Sequence, residues 1–221
     1  MKLSPATVTL LKNFSNINNN LTIQPGNTLS TINFPAKNIM ASAEVPEMFE
    51  TQFGIYSLPD FLGAISLFQD PELEFNSKYV SIKENNNSIK FYAADPSLLT
   101  QVPRVKNLDG SDITFRLSKT ALQQTLRAAA ILHVTDFSVV GDAENVTIVV
   151  GDKSNSTSNS FNSIIGETDK TFRINLKIEN LKVLPDDYDV AIVSQKIFHM
   201  KSANNPVQYW IAVETDSAVG G

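Results

Sequence analysis

The chain has 221 residues, 42% of them apolar, with a net charge of −5 and no cysteine. That length holds one large domain or two of ordinary size, and no apolar run approaches the roughly 18 residues a membrane helix needs. The lack of cysteine excludes disulfides and thiolate metal sites, and the acidic balance argues against an ordinary DNA-binding domain.

The N-terminus has one lysine and no apolar core segment, so no secretory leader is expected. Ser4 reads as a helix N-cap, its hydroxyl placed to accept from an orphan backbone N–H, and Pro5 suits the first helical position. Over residues 5–17, Leu10, Leu11, Phe14 and Ile17 recur at helical spacing and predict the buried face. Thr9, Lys12, Asn13 and Asn16 fall opposite them, with no acid among them.

Strands are predicted over 21–23, 28–34, 40–45 and 55–58, the third ended by Pro46. A second helix is predicted over 59–68, with Phe61, Leu62, Ile65 and Leu67 apolar and Pro71 beyond its end. Residues 79–83 and 88–93 read as a hairpin across an asparagine-rich turn, because asparagine tolerates the left-handed conformation. Residues 94–111 differ in character. Pro96, Pro103 and Asp109-Gly110 interrupt a thin apolar thread of Leu98, Leu99, Val102, Val105 and Leu108, which predicts an extended connector.

The plan then repeats. Phe115-Arg-Leu-Ser118 echoes Met1-Lys-Leu-Ser4, 114 residues on from Ser4 to Ser118. A helix is predicted over 117–132, with Ala121, Leu122, Thr125, Leu126, Ala128, Ala129 and Leu132 on one face. Lys119, Gln123 and Arg127 line the other, again without an acid. Strands follow over 136–140 and 145–150. A Ser/Asn-rich loop spans 151–162, with further strands over 163–165 and 171–176. A short helix is predicted over 178–184, ending at Pro185, and then strands over 189–194, 196–200 and 207–214. The predicted organisation is a first domain at 1–96, a connector at 97–110 and a second domain at 111–221. Each is α+β, an antiparallel sheet carrying two helices on one face.

Charge is segregated between these elements. Residues 1–20, 58–68, 116–133 and 173–184 hold eight basic residues against Asp60 and Glu179, hence +6. The net −5 then leaves −11 for the rest of the chain. Catalytic chemistry is missing. His133 ends a helix, His199 alternates within a strand, and neither can be placed in a Ser/His/Asp set. There is no glycine-rich phosphate loop, and Asp186, Asp187 and Asp189 read as turn residues. No catalytic residue, metal or cofactor is expected.

Five segments in order, MKLS…LLKNF, FLGAISL with Asp70 after it, AADPS at 93–97, LSKTALQQTLR and PDDYDVAI at 185–192, resemble the DNA polymerase sliding clamp of T4-like bacteriophages. The resemblance covers nearly the whole chain. It implies a homotrimeric ring of two-domain subunits, helices lining the hole and sheets outside, with duplex DNA passing through without sequence readout. It implies an ATP-dependent clamp loader, a replicative polymerase that docks by its C-terminal peptide, late-transcription factors as further partners, and a place in the cytoplasm of the infected host. DNA-facing residues would be Lys12, Lys119, Arg127, Lys177 and Lys182, with Lys2 and Arg116 near the helix starts. Sparse lysine and arginine contacts would attract phosphate without reading bases. Head-to-tail subunit contacts would use the edge strands carrying Ile89 and Phe91 on one side, Phe161 and Ile164 on the other. The peptide groove would hold Leu98, Leu99, Val102, Trp210 and Ala212. Helix 59–68 lacks lysine and arginine, so the hole should be weakly basic there. The alternative is a homo-oligomeric, β-rich phage structural or scaffold protein with no DNA role, which leaves the basic helices unexplained.

Overall fold

The computed structural model describes residues 1–103, 111, 113–155 and 157–220. The chain forms two compact units, Met1–Arg104 and Val105–Gly221. Their boundary falls inside the expected connector, whose Val105, Leu108, Asp109 and Gly110 lie outside the described residues.

The first unit runs α1 (Pro5–Ile17), β1 (Leu21–Ile23), β2 (Gly26–Ile32), β3 (Ile39–Phe49), β4 (Phe53–Ile55), α2 (Leu58–Ser66), β5 (Glu72–Phe75), β6 (Tyr79–Glu84) and β7 (Asn87–Tyr92). The antiparallel pairs β1–β4 and β2–β3 and the sheet β5-β6-β7 are its β structure. Leu10, Leu11, Phe14 and Ile17 of α1 are buried with Phe61 and Ile65 of α2, as their spacing requires. Asn13 joins them at 7% exposure, so it leaves the outward face expected for it.

Strand β3 continues through Pro46, against the expectation that proline would end it. The register explains this. Thr28 pairs with Glu44 but Gly26 pairs with Phe49, so residues 45–48 bulge away from the β2 ladder. A proline there gives up no bond to β2. Strand β5 has no counterpart in the sequence reading.

The second unit runs β8 (Ile113–Leu117), α3 (Lys119–Leu132), β9 (Asp136–Asp142), β10 (Asn145–Gly151), β11 (Phe161–Glu167), β12 (Thr171–Lys177), β13 (Tyr188–Val193), β14 (Ile197–Ser202), β15 (Val207–Ala212) and β16 (Ala218–Val219). One sheet has the order β11-β10-β9-β12-β16, and β15, β14, β13 and β8 lie side by side in another. Helix α3 packs on β10 and β11 through Leu122, Thr125 and Ala129. It ends on His133, which takes the left-handed conformation (φ 54°) usual at a helix C-terminus. The helix expected over 178–184 is a single 3-10 turn, Ile178–Asn180, followed by an extended strap. Leu181 and Val183 are buried and Lys182 between them is exposed, a two-residue alternation that a helix cannot supply. Among the described residues the second unit therefore has one α-helix, not two. No helix in them is long and apolar enough to cross a membrane.

Candidate nucleic-acid interface

Both long helices start the same way. Ser4 Oγ accepts from the Thr7 amide and Ser118 Oγ from the Ala121 amide, each at 3.2 Å. Neither helix has an acid in its first turn. The carboxylates that favour a helix N-terminus come instead from elsewhere in each unit. In the first unit Glu47, in the β3 bulge, accepts from the Ser4 amide and from the Thr7 hydroxyl. In the second, Asp187 accepts from the Lys119 amide at 2.7 Å. The exposed helix faces thus stay free of acids while their N-termini keep a negative partner.

Lys12 on α1 and Lys119 and Arg127 on α3 are exposed, and no ion pair involves them among the described residues. Lys182 is exposed on the strap. Helix α2 shows solvent Pro59, Asp60, Gly63 and Ser66, with no base.

Three further basic candidates pair with named carboxylates. Lys2 pairs with Asp70. Arg116 lies 3.2 Å from Asp189 and 3.7 Å from Asp187. Lys177 pairs with Asp136, whose second oxygen accepts from the Lys153 amide at 3.1 Å. Lys177 is also set apart by its sheet face. Ile174 and Leu176 are buried, so alternation along β12 puts Lys177 on the opposite sheet face, with Arg173 and Asn175. The pairing acids Asp70, Asp136 and Asp187 went unread in this role because each is distant in sequence from the base it binds.

The strands expected at subunit edges are edges of their sheets, β7 beside β6 and β11 beside β10. Ile89, Phe91 and Phe161 are half-buried, whereas Ile164 is 68% exposed. Phe91 packs edge-to-face on Phe61 of α2, with centroids 5.3 Å apart.

The expected peptide-groove residues behave differently from one another. Leu98 is 77% exposed on the 3-10 turn Pro96–Leu98, Val102 is half-buried, and Leu99 is buried at 5%. Leu99 Cδ1 approaches so closely that a Cβ on Gly54 would lie 3.0 Å from it, so this side chain belongs to the first unit's core. Trp210 and exposed Ala212 share one face of β15. Trp210 is 9% exposed and stacks on His199, centroids 5.1 Å apart and planes 16° from parallel.

A family model described as DNA polymerase processivity factor matches residues 2–101. The sliding clamp of Vibrio phage KVP40 is 31% identical over 97% of this chain and 99% of its own length. The chain belongs to the sliding clamp family. A second member, the clamp of Enterobacteria phage T4, is 26% identical over 98% of both chains. The clamp fold extends to more distant structures. Archaeal PCNA from A. fulgidus, solved with the C-terminal region of FEN-1 bound, superposes with a TM-score of 0.72 at 14% identity, covering 96% of each chain. Proliferating cellular nuclear antigen from Entamoeba histolytica gives 0.69 at 14% identity, over 96% of this chain and 97% of its own. Family membership decides between the two sequence readings in favour of the processivity factor over a structural protein.

Proposed function

We propose that copies of this chain close as a homotrimeric ring around duplex DNA and tether the replicative polymerase, with no catalytic step or cofactor of their own. The observation that carries this reading is the acid-free, exposed basic face of α1 and α3 in a chain of net charge −5. A field segregated in this way attracts the phosphate backbone to the helices and keeps the remaining surface off DNA. The phosphate contacts are Lys12, Lys119, Arg127 and Lys182. Lys177 is withdrawn from that set by its carboxylate partner and its sheet face. A closed ring reaches DNA only after being opened, so an ATP-dependent loader belongs to this reading. So do late-transcription factors as further partners and the cytoplasm of the infected bacterium as the place of action.

The ring closes by β7 of one copy against β11 of the next, a heterologous contact. Among the described residues both strands are sheet edges, and Lys90 on β7 is opposite in sign to Glu167 on β11. For the polymerase peptide, the first unit offers exposed Leu98 and the second offers Ala212 beside Trp210, each proposed on its own unit's geometry.

The test is primer extension on a primed circle by the cognate polymerase. Long products should need both this protein and its loader. Equal product lengths with and without the protein would overturn the reading.

A further inference from the structure

Lys182 sits on backbone with no regular secondary structure, and a dense polar network fixes that backbone. Leu184 has both main-chain groups bound by tyrosine hydroxyls. Its amide donates to Tyr209 Oη at 3.2 Å, and its carbonyl accepts from Tyr188 Oη at 2.5 Å. The two rings pack edge-to-face, centroids 6.1 Å apart. Two residues on, the Asp186 carboxylate is 5% exposed. It accepts from Asn204 Nδ2 at 2.6 Å, Asn205 Nδ2 at 2.7 Å, the Asp187 amide at 2.8 Å and the Ser202 hydroxyl. Burying a carboxylate is costly unless donors satisfy it, and here four do. Burial alone would raise its pKa. The bonds from Asn204, Ser202, Asn205 and the Asp187 amide outweigh this and hold it well below the usual carboxylate range.

We infer that Asp186 is the positioning residue of the Lys182 phosphate contact: it ties the strap to the turn after β14 and so replaces the helix that the sequence predicts there. The inference rests on Lys182 facing DNA. A strap ordered before DNA arrives spends no further backbone entropy when Lys182 meets a phosphate. A flexible loop at the same place would spend it at every contact.

The experiment titrates a short duplex against the intact protein across salt and reads the slope of log Kd against log salt. Each lost phosphate contact lowers that slope by about 0.9. Lys182→Gln should lower it by that amount. Asp186→Asn puts an amide donor against donors, loosens the strap, and should lower the slope equally. The double variant should fall no further. A wild-type slope in Asp186→Asn, or an additive loss in the double variant, would overturn the inference while the DNA reading of Lys182 stands. A wild-type slope in Lys182→Gln would overturn both. If Asp186→Asn does not fold, Ser202→Ala removes a single donor. Ser202→Ala alone should show part of the same loss and should add nothing in the Lys182→Gln background; a wild-type slope in Ser202→Ala alone counts against the proposal.

Discussion

Thr7 donates its hydroxyl to the Glu47 carboxylate at 2.6 Å across forty residues of sequence, and both side chains are buried. The bond joins the first turn of α1 to the bulge of β3. Burial works to raise the Glu47 pKa, but bonds from the Thr7 hydroxyl and the Ser4 amide prevail and lower it. A lowered folded-state value means the contribution to stability is fully present above the unfolded value of about 4.3 and is lost as pH falls through the folded value. Glu47→Gln should cost about 1–3 kcal/mol at pH 7, since buried donors lose their charged acceptor. Denaturant midpoints at fixed protein concentration should show the gap between variant and wild type closing below pH 4. A gap that does not narrow as pH falls below 4 would contradict the assignment.

The DNA face makes a separate prediction. Lys119→Gln and Arg127→Gln should each lower the salt slope of duplex binding by about 0.9. Thermal midpoints should stay put, because substitutions at exposed sites are usually within about 0.5 kcal/mol. Lys177→Gln should leave the slope unchanged, as its charge is already engaged by Asp136. A full loss of slope in Lys177→Gln would restore it to the DNA set.

These expectations show what sequence carries and what it does not. The N-caps Ser4 and Ser118 and the amphipathic helices were legible because their determinants lie within one or two turns. The edge position of β7 and β11 followed from the family resemblance, because a closed ring must use up its edge strands. The strap at 181–187 was misread because its alternation is short and its supports, Tyr209 and Asn204, come from later in the chain. The pairing of Lys177 was hidden for a related reason. Its charge was visible, but the buried carboxylate that takes it lies 41 residues earlier. Pro46 ended a strand by local rule, whereas the register of β2 made room for it.

The subunit contact is best probed at Ile164. It is 68% exposed, so Ile164→Asp should leave the isolated subunit folded and lower the mass in solution from trimer to monomer. Phe91→Asp is a poorer probe, because it also removes the packing on Phe61. Trimers that persist at nanomolar concentration in Ile164→Asp would rule out β11 as the contact edge.

Docking of the polymerase peptide should be sensitive to Leu98. At 77% exposure it contributes little to its own unit, so Leu98→Asp should weaken peptide binding at least about tenfold without moving the thermal midpoint. Trp210→Ala cannot be read so simply. Truncating a side chain this buried costs about 3–5 kcal/mol, so lost peptide binding there would be confounded with lost fold. Unchanged peptide affinity in folded Leu98→Asp would remove the 3-10 turn from the docking surface.

The His199–Trp210 stack gives the last prediction. Burial lowers the His199 pKa, the Gln208 bond opposes this, and nearby Lys201 lowers it further, so the ring stays neutral at pH 7. With a folded value below the unfolded value of about 6.5, the folded state binds fewer protons over that interval. The stabilisation is complete above pH 6.5 and is lost as pH falls toward the folded value. His199→Gln should therefore flatten the fall in thermal midpoint between pH 7.5 and 5. Trp210 is the chain's one tryptophan, so its fluorescence reports this stack alone. In the wild type it should titrate with a midpoint below 6.5, as the charged imidazolium forms against the indole, and in His199→Gln it should not titrate. A wild-type midpoint at or above 6.5 would mean that the imidazole is solvated, and the stack would then contribute nothing to the acid sensitivity of the fold.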